Sequence, residues 1–138
     1  MRQMCEIVRD QKPLTLPSGA SVKHACQCMR ERGVGAVLVT DREQKLIGIF
    51  TGRDAVRRVL AEGKDATHTR LRDVMTSCPQ TLAPGCSAIE ALRMMQDGRY
   101  RHVPIVEDDK IVGIVSSGDF RGLERDRLDE ETGLWERI

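Results

Sequence analysis

The stretch GIFTGRDA (48–55) recurs in altered form as GIVSSGDF (113–120). Both copies follow the order Gly-Ile-x-[Thr/Ser]-x-x-Asp, and they start 65 positions apart in a chain of 138 residues. A repeat at that spacing is too long to be a shared turn and indicates one structural unit built twice along the chain. The unit around each copy therefore decides the fold.

The similarity covers almost the whole of both halves. Seven residues recur 66 positions later, namely Pro13, Thr15, Leu16, Gly19, Ser21, Ala25 and Met29, which return as Pro79, Thr81, Leu82, Gly85, Ser87, Ala91 and Met95. One residue added after the first helix then aligns Val39 with Val106. A turn two residues shorter aligns Gly48 with Gly113. Because these length changes fall in predicted loops, they are compatible with a repeated fold.

Each half is predicted to follow the order strand–helix–strand–strand–helix. Val22, Ala25 and Met29 have the spacing of one helix face. Ser87 and Glu90 form a capping box at the start of the matching helix. Gly33 and Gly98 are predicted helix stops. Strands are predicted over 34–39, 46–50, 103–106 and 111–115, and the last helix of each half should start at the motif.

We therefore expect an α/β (α+β) fold with two units packed sheet to sheet about a pseudo-twofold axis. A unit of about 60 residues buries too little apolar surface to be stable alone. The expected boundaries are 1–62 for the first repeat, 63–72 for a linker, 73–122 for the second repeat and 123–138 for a C-terminal helical extension.

Composition excludes several classes of protein. Lys and Arg total 22 against 21 for Asp and Glu, and aromatic residues make up 3%. Nucleic-acid binders usually show a basic excess or stacking aromatics, so we expect no nucleic-acid partner. No apolar run is long enough to span a membrane, and MRQMCEIVRD (1–10) lacks the apolar core of a signal peptide. The expected location is the cytoplasm.

Catalysis and metal binding have little support in the sequence. The five cysteines include no Cys-x-x-Cys pair, and an odd number without a secretion signal indicates free thiols, most of them small buried residues. A redox switch through Cys26, Cys28, Cys78 or Cys86 is an open alternative. No Ser/His/Asp arrangement and no metal-ligand cluster emerges, so we expect neither an enzyme nor a metal site.

The two motifs, DVMT (73–76) and RYRHVPIVEDDKIVGIVSSGDF (99–120), together resemble a tandem pair of CBS domains, the module named after cystathionine β-synthase. The resemblance covers roughly residues 7–122 and implies a flat pair that forms a homodimer. It implies binding of an adenosine-containing ligand (AMP, ADP or ATP, also NAD or S-adenosylmethionine) and regulation of an effector protein. We expect a free-standing pair that requires no cofactor. The alternative is a ligand-free dimerisation scaffold.

The second motif suits a nucleotide. Ser116, Ser117 and Gly118 lie where a strand turns into a helix, and unpaired backbone N–H groups at such a turn attract anions. Gly118 leaves room for a ligand near the backbone. An ionised Asp119 has two acceptor oxygens for a ribose cis-diol, and Ser116 offers a hydroxyl to phosphate.

The residues before the second-copy strand extend this predicted site. Arg101 can bind a phosphate in a bidentate way, and His102 can add a donor. The resemblance implies that both positions meet phosphate. The adenine should lie between apolar side chains, with its edge read by backbone groups of Val34 and Gly35 in the other repeat. In our alignment these two residues are also the uncharged counterparts of Arg101 and His102.

The first motif, Thr51, Gly52, Arg53 and Asp54, supports two interpretations equally. Thr-x-x-Asp at a helix start is also a plain N-terminal cap stabilised by the helix dipole. Arg53 lies inside the motif and is a candidate to compensate for the missing charge. We therefore expect the second motif to bind phosphorylated ligands and the first to bind more weakly or to take a less charged ligand.

Overall fold

A computed structural model describes residues 3–8 and 11–120. The elements in chain order are α1 (Met4–Ile7), β1 (Thr15–Pro17), α2 (Val22–Arg32), β2 (Ala36–Thr40), β3 (Leu46–Thr51), α3 (Gly52–Asp54) continued by a π-helix (Ala55–Leu60), α4 (Leu71–Val74), β4 (Thr76–Ser77), α5 (Ala88–Gly98), β5 (His102–Glu107), β6 (Lys110–Ser116) and the 3₁₀ turn Ser117–Asp119. The mixed α/β class is confirmed. The predicted extension 123–138 lies outside the described residues.

The described chain divides into two compact units. The first unit comprises residues 12–79, and residues 109–111 are grouped with it. The second unit comprises residues 80–108 and 112–120 with the N-terminal residues 3–8 and 11. Among the described residues, no helix combines the length and the apolar character that a bilayer crossing requires.

The first unit contains a four-stranded sheet in the order β1-β2-β3-β4. Strands β1 and β2 run parallel, whereas β2, β3 and β4 are antiparallel neighbours. The predicted helix face is confirmed, since Val22, Ala25 and Met29 are buried against the sheet. Leu71 and Val74 of α4 complete this core.

The second unit is built around the β5–β6 hairpin. Its turn residues Asp108 and Asp109 have φ values of 50° and 62°, as a two-residue type I′ turn requires. Leu82 forms a parallel bridge with Ile105 and takes the place that β1 has in the first unit. The capping box of Ser87 and Glu90 is confirmed, with the Ser87 N–H donating to the Glu90 carboxylate at 2.9 Å.

The short helices α1 and α4 have equivalent places in different units. The Met4 N–H donates to the Cys86 carbonyl at 2.9 Å in the second unit, and the Leu71 N–H donates to the Ala20 carbonyl at 2.9 Å in the first. The sequence boundaries grouped residues 1–11 with the first repeat and left Leu71 in the linker. Contacts group them differently, because Met4 and Leu71 are both fully buried, each in the core of the unit it joins.

The structure corrects the alignment of the repeats. The left-handed residues that end α2 and α5 are Gly33 and Arg99, so the predicted stop at Gly98 is one residue early. Gly98 is needed for a different reason: a Cβ there would lie 2.6 Å from Cδ1 of Tyr100. Equivalent residues of the two repeats therefore remain 66 positions apart beyond the end of the helix. The prediction of one added residue after the first helix is wrong. The length difference falls in the hairpin turn and a register shift between Val39 and Thr40.

Candidate functional site

The second motif folds into a tight turn at the end of β6. The Ser116 N–H and hydroxyl both donate to Oδ2 of Asp119, at 2.6 and 3.2 Å. Asp119 is exposed at the surface. A carboxylate offers about four acceptor positions, so these two bonds are compatible with further bonds from a ligand. The motif is therefore a cap whose acid still faces solvent.

The start of β5 lies beside this turn. The Ser117 N–H donates to the Arg101 carbonyl at 2.9 Å, which joins the residue before β5 to the residue after β6. Because the two strands form a hairpin, these ends share one edge of the sheet. The structure thus brings together Arg101, His102 and the turn Ser116–Asp119, as the sequence predicted.

The same bonds correct one part of the prediction. We expected unpaired backbone N–H groups at this turn to attract an anion. The N–H groups of Ser116 and Ser117 are instead used by Asp119 and Arg101. These two N–H groups are therefore not available to a phosphate, which makes the exposed Arg101 guanidinium the main candidate to bind one.

His102 is the half-buried member of the group. Burial lowers the pKa of His102 below its ordinary value, the negative charge of Asp119 opposes that shift, and the positive charge of Arg101 adds to it. The imidazole is therefore neutral near pH 7, and it would donate to a phosphate through one ring nitrogen as a neutral group.

The first motif has the same backbone geometry. The Thr51 N–H and hydroxyl donate to Oδ2 of Asp54 at 3.0 and 3.2 Å, and the Asp54 N–H returns a bond of 3.2 Å to the Thr51 hydroxyl. The Gly52 N–H donates to the Gly35 carbonyl at 3.1 Å. Gly35, and not Val34, is thus the counterpart of Arg101, so our alignment was one residue off here too.

The other predicted residues of this unit lie near the turn. Val34 is 41% exposed and its N–H donates to the Met29 carbonyl, so it ends α2 instead of opening the next strand. Arg53 is exposed on α3. In the first unit the residue directly before β2 is Gly35, so the position equivalent to Arg101 carries no charge.

Sequence reasoning missed Arg58. Its Nε lies 3.6 Å from Oδ1 of Asp54, and its Nη1 donates to the carbonyls of Val74 and Met75 at 3.3 and 3.0 Å. The i, i+4 spacing of Asp54 and Arg58 was the available signal. The first motif thus has its own arginine, which contacts the carboxylate.

The glycine that opens each motif has a packing role. At Gly113 an added Cβ would lie 2.7 Å from both Val8 Cβ and Gln11 Oε1. At Gly48 it would lie 3.0 Å from Met75 Cγ and would overlap Met75 Sδ. Gln11 also accepts the Ile114 N–H at 2.9 Å and so pairs with the outer edge of β6. The residue directly after each short helix, Val8 after α1 and Met75 after α4, therefore lies against the glycine of the motif in its own unit.

The cysteines are confirmed as free thiols, but none is fully buried. Cys5 and Cys78 are exposed, against the expectation of small buried residues. Partial burial raises the pKa of the Cys26 thiol, which lowers its reactivity. Within the described ranges, no group of three or more His, Cys, Asp or Glu residues lies together as a metal-binding set.

Comparison with known proteins agrees with the repeated architecture. The model of the CBS-domain family matches residues 5–61 and again residues 71–125. The chain belongs to the CBS-domain family. Each match includes one copy of the Gly-Ile-x-[Thr/Ser]-x-x-Asp motif, so the two repeats are a pair of CBS domains.

One relative is the CBS domain-containing protein CBSCBSPB2 of Arabidopsis thaliana, 41% identical over 108 residues. The match covers 78% of this chain and 20% of that protein, so the chain corresponds to about a fifth of that relative's length.

Two solved structures share the fold. A CBS domain protein from Pyrobaculum aerophilum, complexed with AMP, superposes with a TM-score of 0.82 over 93% of this chain and 98% of that one, at 22% identity. A hexameric CBS-CP12 protein from bloom-forming cyanobacteria superposes with a TM-score of 0.79 over 86% of this chain and 69% of that one, at 28% identity.

Proposed function

We propose that this CBS pair is a regulatory module that binds an adenosine nucleotide, with AMP, ADP or ATP ahead of NAD and S-adenosylmethionine. One observation carries the proposal. A cation, an imidazole and an exposed carboxylate share one edge of the second unit, held by the bond from Ser117 to Arg101. A cation beside a carboxylate matches a phosphate attached to a ribose.

Each group has a separate role in the proposal. The Arg101 guanidinium offers a planar pair of donors to two phosphate oxygens. Asp119 accepts hydrogen bonds from the ribose hydroxyls, a task that a neutral side chain performs less well. His102 adds a neutral donor, whereas the Ser116 hydroxyl already donates to Asp119 and would have to turn away from that carboxylate to donate to a phosphate. None of these roles needs a nucleophile or a general base, so we propose binding without turnover.

The structure from Pyrobaculum aerophilum concerns one part of the proposal, the nucleotide. It was solved as a complex with AMP, so a CBS protein of this fold can hold that nucleotide. At 22% identity the likeness concerns the fold, and no residue of that site is transferred to this chain. The case for AMP here rests on the side chains at the second motif.

Native mass spectrometry of the purified protein, followed by AMP titration, tests the proposal. We expect a bound adenosine compound, or saturable AMP binding, together with no release of phosphate from ATP. Arg101→Ala should weaken AMP binding. Arg42→Ala, which removes an exposed arginine in the turn after β2, is the matched control and should leave AMP binding unchanged. If no adenosine compound binds the wild-type protein, the proposal is wrong.

The second candidate is a dimerisation scaffold with no ligand. It is favoured by the π-helix after the first motif, where Val56 and Leu60 are 56% and 70% exposed. We propose that the chain forms a homodimer in either case and acts on an effector protein in the cytoplasm. Light scattering at micromolar concentration tests the dimer, and a clean monomer of 15.5 kDa would contradict it.

A further inference from the structure

Both oxygens of the Asp54 carboxylate have partners within the first unit. Oδ2 accepts from the Thr51 N–H and hydroxyl, and Oδ1 lies 3.6 Å from Nε of Arg58. The Asp54 side chain is only 15% exposed, whereas Arg58 is 49% exposed. A ribose that approaches Asp54 would therefore compete with Arg58 for Oδ1.

Arg58 is fixed from its other side as well. Its Nη1 donates to the last carbonyl of α4, that of Val74, and to the carbonyl of Met75, at 3.3 and 3.0 Å. These bonds hold the guanidinium in one place, so little side-chain entropy is gained if it leaves the carboxylate. The π-helix supplies the spacing, because its wider turn begins at Ala55, directly after Asp54.

The second motif differs at the matching position. The residue four places after Asp54 is Arg58, and the residue four places after Asp119 is Leu123. A leucine side chain has no donor for a carboxylate. The first motif thus has an arginine at a position where the second motif has a leucine, and Asp119 is the more exposed of the two acids.

We propose that Arg58 is a specificity-determining residue of the first motif. It acts through Asp54 as a positioning residue: it reserves the carboxylate, and so it lowers the affinity of the first motif for adenosine. The inference rests on the proposed function, since it assumes that the motif acids accept ribose hydroxyls. The first motif is predicted to bind its ligand more weakly than the second. The inference attributes this to competition from Arg58 for Asp54, in addition to the lack of a charged residue at the position of Arg101.

Uncharged adenosine is the probe, because it tests the ribose contact without phosphate electrostatics. Calorimetry is carried out on Asp119→Ala, which removes the second motif's acid, with and without Arg58→Gln. We expect Arg58→Gln to raise adenosine affinity roughly two- to fivefold, the range from a typical i, i+4 pair to a strong exposed ion pair. Adding Asp54→Ala should remove the gain. Arg57→Gln, an exposed neighbour, is the control and should change nothing.

Two further measurements separate competition from a structural effect. Arg58→Lys keeps the charge and should keep the low affinity. In 1 M NaCl the difference in adenosine affinity that Arg58→Gln produces should shrink, because salt screens a partly exposed ion pair. A far-UV spectrum and a melting curve verify that each variant is folded, and Arg58→Ala, which should show the same gain, takes the place of Arg58→Gln if that variant does not fold.

The outcomes distinguish the two proposals. If the wild-type protein binds adenosine through Asp119 but Arg58→Gln gives no gain, the nucleotide function stands and the role of Arg58 is wrong. If no variant binds any adenosine compound, both are wrong. A gain that survives Asp54→Ala also overturns the role of Arg58, since the effect would not pass through the carboxylate.

Discussion

The carbonyl of Arg101 accepts a hydrogen bond of 2.9 Å from the N–H of Ser117. The same bond joins Gly35 to Gly52 in the first unit, at 3.1 Å. One backbone arrangement thus presents an arginine in one CBS domain and a glycine in the other. The two motifs share this hydrogen bond and the cap that follows it, but only the second has a charged residue before the strand, and this difference should decide which ligand each prefers.

Arg101→Ala should weaken AMP binding far more than adenosine binding. A charge-assisted hydrogen bond is worth about 1.5–3 kcal/mol, so we expect roughly a tenfold to hundredfold loss for AMP. Adenosine has no phosphate and should lose little. Calorimetry with both ligands measures the difference. Equal losses would show that Arg101 does not contact phosphate.

His102 should make the protein less stable below neutral pH. Its pKa is lowered in the folded state by burial, while the unfolded chain keeps a value of about 6.5. As pH falls from about 7 through 6.5, the unfolded state binds the proton first, and the free energy of unfolding decreases until pH falls below the folded pKa.

Urea unfolding at several pH values between 7.5 and 5 measures this dependence. His102→Gln should lose less stability over that range than the wild-type protein. Asp119→Ala should steepen the loss, because the opposing negative charge is gone. The exposed His24 and His68 are present in all three proteins and contribute equally. Identical curves for wild type and His102→Gln would contradict the assignment.

Gly113→Ala should destabilise the protein by about 1–3 kcal/mol, the usual cost of overpacking. The new Cβ meets Val8 at its stiff Cβ atom, which cannot move without the backbone. Gly48→Ala should cost less, because the flexible Met75 side chain can adapt. Gly85→Ala is the control, since no atom lies within 4 Å of its added Cβ. Urea midpoints that rank Gly85→Ala with Gly113→Ala would contradict this account.

Met4→Ala should cost about 2–5 kcal/mol, although it lies near the chain start. Met4 is fully buried in the core of the second unit, and α1 bonds there through the Cys86 carbonyl. Cys5→Ala, the exposed neighbour, should be nearly neutral. If Met4→Ala unfolds like wild type in urea, α1 does not belong to that core.

Periodicity and repetition predicted α2 and α5 well, because helix faces and caps are local in sequence. The helix predicted to start at Ser116 is, within the described residues, only the 3₁₀ turn Ser117–Asp119, after which Phe120 is extended. The buried face of α2 and the Ser87–Glu90 capping box follow from spacing alone. The ends of the helices were less predictable. Arg99 adopts a left-handed conformation usually taken by glycine, and Gly98 is required by Tyr100 instead.

The placement of α1 and β4 was not predictable in the same way. Which unit a short segment joins depends on contacts distant in sequence, as with Met4 and Cys86. For the site, the grouping of Arg101 with the motif followed from hairpin geometry. Arg58 was missed because an i, i+4 pair on a helix usually indicates a solvated surface, and its bond to Met75 is not visible in the sequence.

The melting temperature of wild type and Asp119→Ala with and without AMP tests the central claim most directly. A ligand that binds only the folded state stabilises it by about 2.7 kcal/mol at a hundredfold excess over Kd. For a protein of this size that predicts a rise of roughly 5–10 °C for wild type, and little for Asp119→Ala. Inorganic phosphate should shift neither. If Asp119→Ala responds to AMP as fully as wild type, or if AMP shifts neither protein, the motif is a helix cap and the nucleotide proposal is wrong.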